Sequence, residues 1–234
     1  MHQGVISKRE AVGGGLQRVR LAIDPGVAET HVLHAQYIEV RYEPPEVGGA
    51  PVPPEKAYFV LATAPRGDRW DLIVGDKPGM AHRLCTAAIG TSVLVSDAQG
   101  AGFPAAEAEG RPLVLAATGS GVAALFSIAA ARAAGADARH TYLLYGVRER
   151  ADVALEAELA SLRRMGIEVA ICLSREHVDE PGFFKGYVQH VAGAHAWQVA
   201  GGLVFAAGRK AMVEGMREAA PALGIRAEDV RVNF

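Results

Sequence analysis

Pro112-Leu113-Val114-Leu115-Ala116-Ala117-Thr118-Gly119-Ser120-Gly121-Val122-Ala123-Ala124 is the stretch whose reading decides the fold. Its first six residues form a short continuous apolar run, as expected of a strand covered on both faces. A glycine-rich turn follows, and then an alanine-rich helical stretch over 123–134. Gly119 to Ala124 fits G-x-G-x-x-A directly after a strand and at the opening of a helix, the context a dinucleotide-binding turn requires. Glycines there let the backbone turn sharply and approach a pyrophosphate. The helix start adds free N–H groups and the positive end of its dipole. Small residues also occur wherever a helix packs close to a sheet, so the pattern alone leaves that plainer reading open.

Toward the C terminus the same alternation continues. Strands are predicted over 141–145, 168–173, 203–207 and 229–234, and helices over 152–165 and 210–223, with a long loop after the third strand. Strands alternating with helices imply a parallel sheet with crossover connections. An ordinary NAD dehydrogenase carries an acidic residue at the end of its second strand. Here that strand ends Tyr145-Gly146-Val147-Arg148, and the third ends Leu173-Ser174-Arg175. The planar donor fork of arginine suits a 2′-phosphate; solvated loop charges are the alternative.

Toward the N terminus the period shortens. Alternating stretches at 16–23, 37–42, 57–64, 70–75 and 92–96 read as strands, and a short helix is predicted near 81–88. Asp24-Pro25-Gly26, Pro44-Pro45, the stretch Gly48 to Pro54 and Pro65-Arg66-Gly67 separate them. Strands at this spacing suggest an antiparallel barrel or sandwich. The expected architecture is therefore two-domain: a β-barrel over 1–109 and an α/β parallel-sheet, Rossmann-like domain over 110–234.

Composition agrees with a globular protein of this size. The chain has 234 residues, 50% of them hydrophobic, and a net charge of −2, so nothing points to nucleic acid or a membrane surface. Met1-His2-Gln3-Gly4 has no signal-peptide character, and the weakly polar run Gly119 to Ala131 is too short to span a bilayer. A cytoplasmic location is the expectation. Cys85 and Cys172 cannot supply an iron–sulfur cluster or structural zinc. A disulfide is formally open, and two reduced buried thiols are the plainer reading. His31, His34, His82, His140, His177, His190 and His195 show no metal-like spacing, so they read as scattered surface or loop residues and no metal is expected. Trp70 and Trp197 read as core.

Taken together, the second half resembles the pyridine-nucleotide domain of the ferredoxin–NADP reductase superfamily. Thr118-Gly119-Ser120-Gly121-Val122-Ala123-Ala124 resembles its G-T-G-I-A-P segment, with alanine where proline is usual. Gly146-Val147-Arg148 resembles its Y-G-x-R strand end. Ser174-Arg175-Glu176 with Lys185, Tyr187 and Gln189 is similar to the S-R-E…K-x-Y-x-Q stretch that grips the 2′-phosphate and adenine in NADP-using members. Ala207-Gly208-Arg209 with Met212 resembles C-G-P-x-x-M, alanine replacing cysteine. The first half resembles the family's FAD-binding barrel less closely, in the "fruit protein"-like manner. Gln36-Tyr37-Ile38 is similar to G-Q-Y-V, and Gly90 to Pro104 to a later strand and turn. The flavin strand R-x-Y-S-I-A-S-x-P matches Ala57 to Pro65, including Tyr58, Phe59, Val60, Leu61, Ala62 and Thr63. One register places Phe59 at the tyrosine, and a one-residue slip places Tyr58 and Lys56 at the tyrosine and arginine. Val74 joins this flavin group, and Gly79-Met80-Ala81 resembles the helix start that receives the FAD pyrophosphate.

The resemblance implies FAD and NADP (or NAD) as cofactors and an NAD(P)H-dependent flavoprotein reductase. A separate redox partner, ferredoxin or a small acceptor, would exchange the electrons. Ala207 and Phe234 would lie at the nicotinamide and flavin, although Phe234 equally reads as a core anchor. Val60, Ala57, Ala81 and Ala207 are losses at family positions. They keep open a second class, a non-catalytic nucleotide-binding or regulatory module with a degenerate flavin site.

Overall fold

The computed structural model describes residues 1–43, 54–195 and 197–233. Phe234 and the Gly/Pro-rich loop at 44–53 lie outside the described residues.

The first half is a six-stranded antiparallel sheet in the order β4-β3-β6-β1-β2-β5. Its strands are β1 (His2–Gly13), β2 (Leu16–Ile23), β3 (Tyr37–Tyr42), β4 (Glu55–Val60), β5 (Trp70–Gly75) and β6 (Ser92–Val95). The two edge strands approach one another through an isolated Leu61–Leu72 bridge and an Ala62 N–H bond to the Asp71 carbonyl at 2.8 Å. The sheet thus curls toward a barrel without a full closing ladder. Trp70, Leu21, Ile38, Leu61 and Leu72 are wholly buried inside it. Two short helices, α1 (Pro25–Ala28) and α2 (Met80–Thr86), punctuate the strands. Proline in the first turn and the Asp24 side chain, accepting from Gly26 N–H at 2.8 Å, fix the start of α1.

β1 is the longest strand, yet no strand is expected there from the sequence. Its central Ser7-Lys8-Arg9-Glu10 run is charged, and register shifts between Ile6 and Lys8 and between Ala11 and Gly13 break the alternation. The β1–β2 hairpin reaches the second half. Gly13 bridges Ala154, Leu155 N–H donates to the Val12 carbonyl at 2.7 Å, and Arg18 pairs with both Glu10 and Glu158. A Cβ on Gly14 would overlap the Asp152 carbonyl, so only glycine allows this approach.

The second half is a six-stranded parallel sheet in the order β10-β9-β8-β7-β11-β12. It contains β7 (Leu113–Thr118), β8 (Thr141–Val147), β9 (Glu168–Leu173), β10 (Phe183–Lys185), β11 (Leu203–Ala207) and β12 (Val230–Val232). The helices α3 (Val122–Ala133) and α4 (Glu156–Arg164) cover one face, and α5 (Val188–Ala194) and α6 (Lys210–Ala219) the other. The segment predicted as a long loop contains β10 and α5, both too short to show a period. The helix expected from 152 begins at Glu156, because Leu155 takes φ +60° after a single 3₁₀ turn.

One apolar cluster runs through both halves. Phe103 stacks on Phe205 with ring centroids 4.8 Å apart, beside Ala35 and Ile73. His34 Nδ1 lies 2.8 Å from Ser127 Oγ, and Asn233 Nδ2 donates to the Ala35 carbonyl at 3.2 Å. The buried Arg132 ties the connecting segment down, donating to the Ala108 and Arg111 carbonyls at 2.7 and 2.8 Å. Trp70 lies in the core as expected, and Cys85 and Cys172 are buried free thiols. No helix among the described residues is long and apolar enough to cross a membrane.

His31 and His34 lie in the irregular segment before β3, as a loop reading expects, but His31 is buried and His34 only partly exposed. His31 is wholly buried with neither ring nitrogen hydrogen-bonded, and burial, followed by the nearby His34, lowers its pKa to about 4. The folded state therefore holds a neutral ring, whereas the unfolded ring titrates near 6.5. Stability from this site is complete above pH 6.5 and is lost as pH falls toward 4. The expected loss at pH 5 is about 2 kcal/mol. Urea unfolding at pH 7.5 and pH 5 checks this: His31→Leu should remove most of the dependence, and an unchanged slope in that variant contradicts the assignment.

Candidate functional site

The strand order of the parallel sheet reverses at β7, with β8 on one side and β11 on the other. Connections leaving those strands turn to opposite faces and open a crevice at their carboxyl ends, where open α/β sheets bind ligands. Thr118 to Gly121 and Ala207 to Arg209 line it. The Arg209 N–H donates to Thr118 Oγ1 at 2.9 Å. A Cβ on Gly121 would overlap the Ala207 carbonyl, and one on Gly208 would overlap Thr118 Oγ1. A Cβ on Gly146 would stand 2.6 Å from Val188 Cγ2 and 3.1 Å from Thr118 Cγ2. Gly119 has open space but φ +54°, so its turn rather than its neighbours calls for glycine. The 3₁₀ turn Gly119–Gly121 leads into α3 with no side-chain cap, and the N–H groups ahead of a first helical turn have no intrahelical partner. Val122 is wholly buried and seats that helix on the core.

Cationic side chains rim this edge. Arg148, Arg175, Lys185, Arg209 and Lys210 are all exposed. The backbone continues the strand pairing past β8 and β9, with Ser174 N–H on the Val147 carbonyl at 3.1 Å and Arg175 N–H on the Arg148 carbonyl at 2.9 Å. Ser174 Oγ also donates to Val147 O at 3.3 Å. Among the described residues Arg175, Lys185 and Arg209 form no ion pair, whereas Arg148 is held by Asp152. Tyr187 precedes α5, is exposed, and meets His190 edge-on at 5.6 Å. Gln189 packs on α6, where Gly215 leaves room for its side chain. Met212 is buried beneath α6, so its side chain contributes packing to this edge and no surface for a ligand.

Alternation along β4 sorts the residues of the first half. Lys56 and Tyr58 are exposed, whereas Ala57, Phe59 and Leu61 turn toward the barrel core. Phe59 therefore does not share a face with Tyr58, and the register that pairs Tyr58 with Lys56 is the one whose side chains point outward together. Val60 and Ala62 pack against the apolar cluster shared with the second half. Val74 and Met80 also point into the barrel, as does the partly buried Ala81, so these residues could meet a ligand only through backbone. Thr63 Oγ1 is buried without a partner. Helix α2 packs beside β4 through Arg83, which donates to Glu55 at 2.8 and 3.0 Å and lies 3.8 Å over the Tyr42 ring.

Tyr58 is 60% exposed and Tyr187 57%, and among the described residues they are the exposed aromatic side chains. The Tyr58 hydroxyl donates to Glu39 Oε2 at 3.0 Å, and its ring meets Tyr37 edge-on at 5.8 Å. That bond raises the Tyr58 pKa, while Arg41 and then Tyr58 hold the Glu39 carboxyl below its usual range. Sequence reasoning missed Glu39 and Arg41, although their spacing of two on β3 places them on one face. It also missed Asp152, four residues after Arg148, and it named Glu176 only within the S-R-E motif, without its bond from Arg150 N–H at 2.6 Å.

Residues 115–218 match the family described as the oxidoreductase NAD-binding domain. The search of curated proteins finds no match. Among solved structures the chain is similar to the flavohem-like FAD/NAD-binding domain of nitric oxide dioxygenase from Vibrio cholerae, with a TM-score of 0.77 at 18% identity over 99% of this chain and 97% of that one. A cytochrome P450 reductase from Amycolatopsis gives 0.79 at 24% identity, covering 99% and 68%. A ferredoxin NADP+ reductase from Neisseria gonorrhoeae, solved with bound FAD and NADP, gives 0.69 at 16% identity, covering 95% and 91%.

The crowding at Gly208 yields a direct check. Gly208→Ala should cost about 3 kcal/mol or displace the loop, and weaken dinucleotide binding at least about tenfold. Gly119→Ala, strained only by its φ, should cost about 1–2 kcal/mol. Calorimetric titration and thermal melts of both variants measure the difference, and equal behaviour contradicts the close approach.

Proposed function

Taking as premise a chain with the fold of the ferredoxin–NADP reductase superfamily, we propose an FAD-dependent oxidoreductase that passes electrons between NADP(H), or NAD(H), and a separate redox partner. The observation that carries this reading is the pairing of a glycine-crowded crevice at the strand-order reversal with two exposed tyrosines. Tyr58 offers a flat face for an isoalloxazine ring. Lys56 and the backbone at Gly79, Met80 and Ala81 offer donors for its phosphates. On the other side, the 118–121 turn receives the dinucleotide pyrophosphate, Arg175 and Lys185 its 2′-phosphate, and Tyr187 its adenine. The flavin-binding unit would end near residue 109 and the nucleotide unit begin near 110.

FAD, when bound, supplies the exchange between a two-electron hydride and single electrons. The chain's own part would be placement: Tyr58 on one side and the 118–121 turn on the other would orient the two groups and exclude water between them. Glu39 holds the phenolic proton of Tyr58, so the stacking face stays neutral. Ala207, at the end of β11, presents no side-chain thiol to a nicotinamide, which removes one means of tuning the transfer. Phe234 follows β12 and is assigned here to the shielding of the ring. Cys85 and Cys172 are buried separately and offer no thiolate set for an iron–sulfur cluster, and the electron acceptor in this reading is a redox protein or a small oxidant. The family match over 115–218 supports the pyridine-nucleotide assignment.

An absorption spectrum after incubation with FAD and desalting tests the reading. Retained flavin bands are expected, with Tyr58→Ala weakening FAD about tenfold. A protein that stays colourless yet binds NADP would instead favour the non-catalytic nucleotide-binding module.

A further inference from the structure

Arg148 leaves the carboxyl end of β8, and Arg175 the end of β9, on adjacent strands. The Arg175 N–H donates to the Arg148 carbonyl at 2.9 Å, which ties the two strand ends together. Their circumstances differ. Arg175 has no ion pair among the described residues. Arg148 is engaged by Asp152 through a two-point fork, Nε to Oδ2 at 3.0 Å and Nη2 to Oδ1 at 3.3 Å. Asp152 is itself fixed from several sides. Its N–H donates to the Glu149 carbonyl at 3.0 Å, its own carbonyl lies against Gly14 of the β1–β2 hairpin, and Glu176 holds the next turn through Arg150 N–H. Glu149, Glu156 and Glu176 line the adjoining groove with Arg150 and Arg175.

We infer that Asp152 is a specificity-determining residue for the nucleotide: it keeps the Arg148 guanidinium from a 2′-phosphate. The inference rests on the proposed nucleotide site at this sheet edge. Through Asp152 the chain discriminates between NADPH and NADH less sharply than two free arginines would. The Arg148 side chain is 56% exposed and the Asp152 side chain 29%, so the pair is a surface one of modest strength. Its influence is therefore a matter of a few-fold in affinity and leaves NADPH able to bind. The neutral amide of asparagine removes the charge that holds the guanidinium without changing side-chain shape.

Calorimetric titration with NADP+ and NAD+ tests this on the full chain, as wild type, Asp152→Asn, Arg148→Ala and the double variant. Asp152→Asn is expected to tighten NADP+ about fivefold and NAD+ less than about twofold. The gain should vanish when Arg148→Ala is added, since it works through that guanidinium. A merely structural role for Asp152 would move both nucleotides together. Equal changes for the two, an unaltered NADP+ affinity, or a gain that survives in the double variant overturns the inference while leaving the nucleotide site standing. Flat titrations with both nucleotides in every protein, wild type included, overturn the site itself and the inference with it. Asp152→Ser provides a second neutral variant, with melts of each protein reporting the fold.

Discussion

The contact on which the molecule depends is the one between two turns, Thr118 to Gly121 and Ala207 to Arg209, where the parallel sheet reverses its strand order. Main chain meets main chain there with no room for a Cβ at Gly121 or Gly208, and Thr118 Oγ1 receives the Arg209 N–H. The reversal between β8-β7 and β7-β11 would open a crevice whatever the side chains were. Glycine makes the crevice tight, and tightness turns a gap between loops into a cradle of N–H groups. A ligand bound there is gripped largely by backbone, and side chains are left to decide which ligand it is.

That division of labour explains how the substitutions in the first half can be tolerated. The β4 strand lacks the arginine and serine that the resemblance implies, yet its alternation still sends Lys56 and Tyr58 outward and Ala57, Phe59 and Leu61 inward. The packing of the barrel is therefore independent of what its outer face holds. The two halves are also firmly joined. The Phe103–Phe205 stack adds about 1 kcal/mol beyond the area it buries, and the β1–β2 hairpin is bridged to Ala154 through Gly13. Any site placed between the halves would gain from such rigidity, because small displacements of reacting atoms are costly.

Much of this was legible in the sequence. The strand–turn–helix context of residues 112–124 and the alternation after it led to a parallel sheet, because apolar runs and glycine turns report directly on burial and backbone approach. β1 was invisible, since its charged centre and two register shifts erase the period of two. β10 and α5 were too short to register. At the candidate site, spacing located the glycines and the strand-end arginines, but it could not tell that Arg148 is already occupied by Asp152 while Arg175 is free of ion pairs among the described residues. It also could not choose between Tyr58 and Phe59, a choice made by which face of β4 the core covers. His31, read as a surface or loop residue for want of metal-like spacing, lies in a loop but is wholly buried, and the Arg66 N–H donates to its carbonyl at 2.9 Å.

The most direct test of the central claim, that a ring stacked on Tyr58 faces a nicotinamide held in the crevice, is anaerobic addition of NADPH or NADH to the FAD-loaded protein. The account predicts bleaching of the flavin band by a stoichiometric amount of reduced nucleotide. A flavin that stays fully oxidised, although both ligands are shown to be bound, would contradict it.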